Sequence, residues 1–165
     1  MKILLDTTYF LPLTKISLDG IPDNLLLKLL LEPKHEYFYS DLSIFEITAK
    51  GLKIITRETE VTLQDVMKGI DAMQNDSRLQ VLTWSDNPLI IELAYNLKAI
   101  HNDTIDCIIY ATAICKCDCI ITMDHSLYNK IRGDAFILKE IKSLNKNFQF
   151  WFDDLSKNPI PLKKK

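Results

Sequence analysis

The 165-residue sequence predicts an α/β fold, a single three-layer α/β/α domain with a central, mostly parallel sheet of four or five strands. Two features carry this prediction. Short, mainly apolar runs end at an acid, as in Lys2–Leu5 before Asp6 and Ile120–Met123 before Asp124, and such runs fit buried strands. Between the runs lie stretches of helical period. Strands alternating with helices make βαβ units, which require parallel neighbours and helices on both faces of the sheet.

Taken in order, Lys2–Leu5 is the first strand and Pro22–Leu31 a leucine-rich helix. Tyr37–Tyr39 is a second strand, followed by helices at Ser43–Ile55 and Leu63–Asn75. Leu79–Trp84 is a third strand. Asp86-Asn87-Pro88 then supplies a capping residue before a first-turn proline, which opens a helix over Pro88–Ile100. Ile105–Cys115 is apolar almost all round and therefore central. Ile120–Met123 is the fourth strand, and aromatic Phe148–Phe152 fits a strand at the sheet edge. The domain is expected to span residues 1–157, and 158–165, ending Lys163-Lys164-Lys165, reads as a frayed basic tail.

Composition narrows the classes. With 47% hydrophobic and 25% charged residues the chain is neither disordered nor a disulfide scaffold. No apolar stretch approaches the roughly 20 residues that cross a bilayer, so no membrane partner is expected. The opening MKILLDTTYF reaches Asp6 after three apolar residues and cannot serve as a secretory signal, so a cytoplasmic location is expected. A formal charge of −2 provides no global basic field. Cys107, Cys115, Cys117 and Cys119 lack the paired spacing of a zinc site and read as reduced thiols packed as small hydrophobes. His35, His101 and His125 are scattered and read as surface residues, with His125 near enough to Asp124 to contact a phosphate.

The acids are uneven: fifteen Asp against seven Glu, although Glu is the better helix former. In open α/β sheets ligands bind beyond the carboxyl ends of the strands, where Asp6 and Asp124 both stand. Aspartate also favours turns, so neither residue alone marks a site. Asp103 has the place of an N-cap, which leaves Asp106 in the first turn of the apolar helix. A carboxylate at the mouth of the core is costly without a cation. Glu46 is open to two readings. Ser43 and Glu46 have capping-box spacing, whereas a helix starting at Ser40-Asp41 would place Glu46 inside it, either solvated or lining a cleft beside the sheet.

With these residues the sequence resembles the PIN-domain ribonucleases. The resemblance rests on four ordered motifs: Ile3-Leu4-Leu5-Asp6-Thr7-Thr8-Tyr9, Ser40 with Glu46, Asp106 followed by Cys107-Ile108-Ile109-Tyr110-Ala111-Thr112-Ala113, and Ile120-Ile121-Thr122-Met123-Asp124. It extends over about residues 1 to 135. Two positions depart from the family pattern, Thr8 in place of Asn or Ser and Ser126 where many members carry a further Asp.

The resemblance implies a Mg²⁺- or Mn²⁺-dependent endoribonuclease, commonly the VapC-like toxin of a toxin–antitoxin pair, with RNA as substrate, a small antitoxin as partner and a homodimer as the usual assembly. Asp6, Glu46, Asp106 and Asp124 would be catalytic metal ligands, oriented by Thr7, Ser40 and Asp103. Hard carboxylate oxygens suit Mg²⁺ or Mn²⁺, and two such ions would turn the formal charge from −2 to +2, easing the approach of RNA. Lys50, Lys53, Arg57, His125, Lys130 and Arg132 are candidate RNA contacts, although lysines and arginines on a helix commonly just solvate it. Alternatives are a ribosomal RNA processing nuclease and a degenerate PIN fold that binds RNA or protein. A dehalogenase-like phosphatase would need a second Asp two residues after Asp6, where Thr8 stands.

Overall fold

The computed structural model describes residues 1–17, 22, 24–31, 34–57 and 60–153. Five strands, β1 (Lys2–Leu5), β2 (Glu36–Ser40), β3 (Leu79–Leu82), β4 (Cys119–Thr122) and β5 (Gln149–Phe152), form one sheet in the order β3-β2-β1-β4-β5. Every neighbouring pair is parallel, and Ile3 of the central strand stands opposite both Tyr37 and Cys119. The helices are α1 (Leu25–Leu30), α2 (Asp41–Ile55), α3 (Leu63–Asn75), α4 (Pro88–Lys98), α5 (Thr104–Lys116), α6 (His125–Gly133) and α7 (Ala135–Leu144). A 3₁₀ helix over Thr7–Thr14 follows β1.

Strand alternation divides the core in two. Ile3, Leu5, Tyr37, Tyr39, Cys119 and Ile121 face a layer made by the 3₁₀ helix and α1 to α3. Leu4, Phe38 and Ile120 face the opposite layer of α4 to α7. Helix α5 is buried along most of its length, as its all-round apolar sequence predicts. The chain leaves β1 toward β2 on one side and later places β4 on the other. The strand order therefore reverses between β1 and β4, the place where open α/β sheets bind ligands beyond the strands' carboxyl ends.

Several boundaries differ from expectation. Helix α2 begins at Asp41, because the Ser40 hydroxyl accepts from Leu42 N and caps it. That excludes a capping box between Ser43 and Glu46. Helices α6 and α7 were not among the expected elements. They bury Leu127 with Ile131 and Ile137 with Ile141, and in α7 the spacing of Ile137, Leu138, Ile141 and Leu144 was a helical signal passed over in the sequence. Asp124 and Asp134 start them as N-caps. In the 3₁₀ helix, Pro12 obscures any helical signal.

Of the leucines in the expected Pro22–Leu31 helix, Leu25, Leu26, Leu29 and Leu30 are buried within the chain, and Leu27 and Leu31 remain exposed. Most of this leucine-rich surface is thus covered within the chain. The basic tail 158–165 and the expected domain end at 157 lie outside the described residues, as does Asp23 within that helix.

Helix α3 packs on the 3₁₀ helix through Gly69. A Cβ there would stand 2.5 Å from Thr14 Cγ2 and 2.7 Å from the Leu13 carbonyl oxygen. The backbone oxygen cannot step aside as a flexible side chain could. Gly69→Ala is therefore expected to destabilise the protein by about 1–3 kcal/mol in urea unfolding, although alanine has the higher helix propensity. An unchanged midpoint would mean that α3 does not seat this closely.

Candidate active site

Strand β1 is fully buried from Ile3 to Leu5 and ends directly at Asp6, which is itself 5% exposed. Asp6 Oδ1 accepts from Thr7 N at 2.7 Å, and Oδ2 accepts from Thr122 Oγ1 at 2.7 Å. No cationic side chain balances this carboxylate at hydrogen-bond distance among the described residues. Burial pushes its pKa up to about 7; the Thr122 hydrogen bond opposes the rise, and the charges of Asp106 and Glu46 add to it.

Thr122, the last residue of β4, joins two acids. Its hydroxyl donates to Asp6 and accepts from Asp124 N at 2.9 Å. Asp124 Oδ1 in turn caps α6 by accepting from Leu127 N at 2.9 Å. On the other side of Asp6, the Thr7 hydroxyl donates to buried Ser43 Oγ at 3.1 Å, tying β1's exit to α2.

Glu46 lies inside α2 and lines the cleft. Oε1 pairs with Lys50 Nζ at 2.5 Å, one helical turn away. Oε2 is buried and has no hydrogen-bond partner. Burial works against the Lys50 charge, but the hydrogen bond and charge of Glu46, with the charges of Asp6 and Asp106, hold its pKa above that of a free lysine. Among the described residues Lys50 is the lysine paired with an acid of this cleft. Lys53, further along α2, and Arg57, two residues past its end, are exposed.

Asp106 sits in the first turn of α5. Asp103 caps that turn, accepting from Ile105 N at 2.9 Å and from Asp106 N at 3.3 Å, as its spacing predicts. The Asp106 carboxylate is only partly exposed, and Oδ2 meets His101 Nε2 at 2.9 Å. Burial raises the Asp106 pKa, His101 opposes the rise, and the charges of Asp103 and Glu46 support it. One donor atom each from His101, Asp106 and Asp124 lie within 4.8 Å of one another.

His101 corrects the sequence reading. It is not a satisfied surface residue but a half-buried one against Asp106, with Nδ1 buried and unpartnered. Tyr110 was also missed. It follows Asp106 by one helical turn, is buried, and its hydroxyl lies beside Thr122 in the field of Asp6, Asp106 and Asp124 with no hydrogen bond of good geometry. Its pKa stands well above that of free tyrosine, by burial first and then by the charge of Asp6. The available signal was spacing: Asp106 to Tyr110 is i, i+4, and Thr122 stands two residues before Asp124 on a four-residue strand.

The remaining candidates take other places. Ser40 spends its hydroxyl on Asp41 and on capping α2. His125 is exposed, set edge-on against Phe152 and hydrogen-bonded to Asn129. Lys130 is exposed on α6, and Arg132 lies over the Tyr128 ring, donating to its hydroxyl at 2.9 Å. Cys107, Cys117 and Cys119 are buried thiols raised in pKa by burial, as expected of packed cysteines. A further acid, Asp153, is buried at the end of β5 and accepts from Tyr9 Oη at 2.6 Å.

The donor set fits a divalent cation: clustered carboxylate oxygens with one imidazole, beside a buried, unpartnered Glu46 Oε2. Of the four expected ligands, Asp106 and Asp124 come near enough, with His101, to share one ion, while Asp6 and Glu46 add their charge to Asp106 and to each other.

No protein-family model and no curated protein matches the sequence. A solved structure does. A chain of VapBC2 from Rickettsia felis, crystallised bound to a DNA fragment from the promoter of that system, superposes with a TM-score of 0.58 over 93% of this chain and 100% of that one, at 18% identity. At that identity the likeness is one of architecture: this chain shares the parallel α/β fold of that VapBC2 chain, in keeping with the three-layer domain that the sequence predicts.

Proposed function

We propose that the protein is a Mg²⁺- or Mn²⁺-dependent endoribonuclease and the toxin member of a toxin–antitoxin pair. The observation that carries this reading is the meeting of Asp6, Glu46 and Asp106 in one electrostatic cluster, with Asp124 joined to Asp6 through Thr122, at the strand-order reversal between β1 and β4. A bound divalent cation supplies activation of water and charge neutralisation at the scissile phosphate. The chain's own residues prepare the place. Thr7 N and Thr122 Oγ1 fix both oxygens of Asp6, His101 fixes Asp106, and the capping bond to Leu127 fixes Asp124. Lys50 places a cation at the rim, suited to a phosphodiester next to the carboxylates. Exposed Lys53, Arg57 and Lys130, with Arg132 and His125, are offered as further phosphate contacts. The likeness to a VapBC2 chain supports a small antitoxin as partner.

Purified protein is expected to cleave RNA with Mg²⁺ or Mn²⁺ and to stop in excess EDTA. Asp6→Asn should lower the rate by at least about a hundredfold at unchanged helix content, since removing even the neighbours of metal ligands commonly has a 10–100-fold effect. Full cleavage in EDTA would overturn the reading.

A further inference from the structure

Two parts of the acidic cleft differ in chemistry. Asp6 and Glu46 offer only carboxylate oxygens, whereas His101, Asp106 and Asp124 bring an imidazole nitrogen together with two carboxylates within 4.8 Å of one another. We propose that His101 is a metal ligand, and that His101 Nε2, Asp106 and Asp124 form a mixed nitrogen–oxygen site selective for a divalent transition-metal ion such as Mn²⁺ over Mg²⁺. The inference rests on the nuclease reading above and sharpens which cation that site takes.

The geometry has the right scale. Around an octahedral cation with bonds of about 2.1 Å, adjacent donors stand about 3.0 Å apart and opposite donors about 4.2 Å apart. His101 Nε2 and Asp106 Oδ2 are 2.9 Å apart, the spacing of adjacent ligands. The backbone holds the ring there. His101 N donates to the Leu97 carbonyl at 3.0 Å, closing the end of α4, and the His101 carbonyl accepts from Cys107 Sγ. His101 therefore belongs to the rigid turn between α4 and α5, the helix that carries Asp106.

An independent observation lies below the triad. Tyr110 is 1% exposed, and its hydroxyl, among Thr122, Asp6, Asp106 and Asp124, makes no hydrogen bond of good geometry. Its contact with Thr122 is a poor one, and water completing a cation's coordination shell would give this buried hydroxyl a better partner. The selectivity follows from donor softness. Mg²⁺ takes oxygen ligands and gives up its water reluctantly, while Mn²⁺, which shares its preference for carboxylates, belongs to the first-row transition series whose members also take nitrogen donors. In the metal-free site Nε2 donates to Asp106 Oδ2; coordination would move that proton to Nδ1 or release it, freeing the Nε2 lone pair for the ion.

Pulsed electron paramagnetic resonance of Mn²⁺ bound to the full chain tests this without activity as a readout. Mn²⁺ is expected to show ¹⁴N modulation from a directly bound imidazole, replaced by the ¹⁵N pattern when the protein is made with ¹⁵N-histidine. The chain has three histidines. The coupling should persist in the double variant His35→Gln/His125→Gln, which leaves His101 untouched, and vanish in His101→Gln. In competition titrations, His101→Gln should lower the preference for Mn²⁺ over Mg²⁺ by on the order of tenfold or more. Bound Mn²⁺ without nitrogen coupling, or coupling that survives in His101→Gln, would overturn the ligand assignment and leave the carboxylate site standing. If Mn²⁺ fails to bind at all, the nuclease reading falls with it.

Discussion

Mn²⁺ is expected to raise the melting temperature of the protein by about 5–10 °C. A cation that binds only the folded state stabilises it by about 2.7 kcal/mol at a hundred times its dissociation constant, and a chain of this size gains about 2–4 °C per kcal/mol. Asp106→Asn should remove most of that rise, since Asp106 faces both the Asp6 and Glu46 charges and the triad with His101 and Asp124. The same substitution should make the metal-free protein more stable than the parent. Asparagine carries no charge for burial to penalise and no repulsion with Glu46 or Asp103, while its side chain can still meet His101. Asp71→Asn, on the exposed face of α3, should change neither quantity. An equal Mn²⁺ shift in all three proteins, or in none, would mean that the acids form no cation site.

The metal-free protein is also expected to lose stability as pH rises from about 4 to 7. Asp6 has a folded-state pKa of about 7 against 3.8 for the ordinary carboxylate. Across that window the folded chain keeps a proton that the unfolded chain has released, so stability falls with rising pH and levels off above about 7. At 1.36 kcal/mol per pKa unit the full effect is about 4 kcal/mol. Asp106, also raised, contributes in the same direction. Asp65 and Asp76, held below the usual range by Lys15 and Arg78, lose their pairing only under about pH 4 and leave this window clear. Urea unfolding at pH 5 and pH 8 measures the difference, and Asp6→Asn should flatten it by removing the ionisable group. A parent protein equally stable at both pH values would show that water or an ion reaches Asp6 freely.

The two predictions meet at one physical point. The cleft holds its acids against burial and mutual repulsion, and this stored cost is what a cation releases on binding. Lys50 offsets part of it through Glu46, which is why Glu46 keeps one satisfied oxygen while Oε2 stays unpartnered. Asp6, with no such lysine, is satisfied by a threonine hydroxyl and a backbone N–H.

Sequence alone determined the parallel α/β class, because short unbroken apolar runs such as Ile3-Leu4-Leu5 and Ile120-Ile121 can be satisfied only by burial on both faces. It also determined where Asp6, Asp103, Asp106 and Asp124 stand relative to their elements, since caps and strand ends are local properties. The fate of Glu46 was not local. Helical period places it on a side of α2 without saying what lies opposite, and only the packing of α2 beside the sheet turns that side into a cleft. The same holds for His101 and Tyr110. An isolated histidine or tyrosine carries no periodic signal, and its partners come from distant segments: β4 meets β1 across 116 residues of sequence, bringing Thr122 to Asp6. Tertiary structure decided the site's composition because hydrogen bonding and electrostatics depend on distance in space, whereas periodicity registers only distance along the chain.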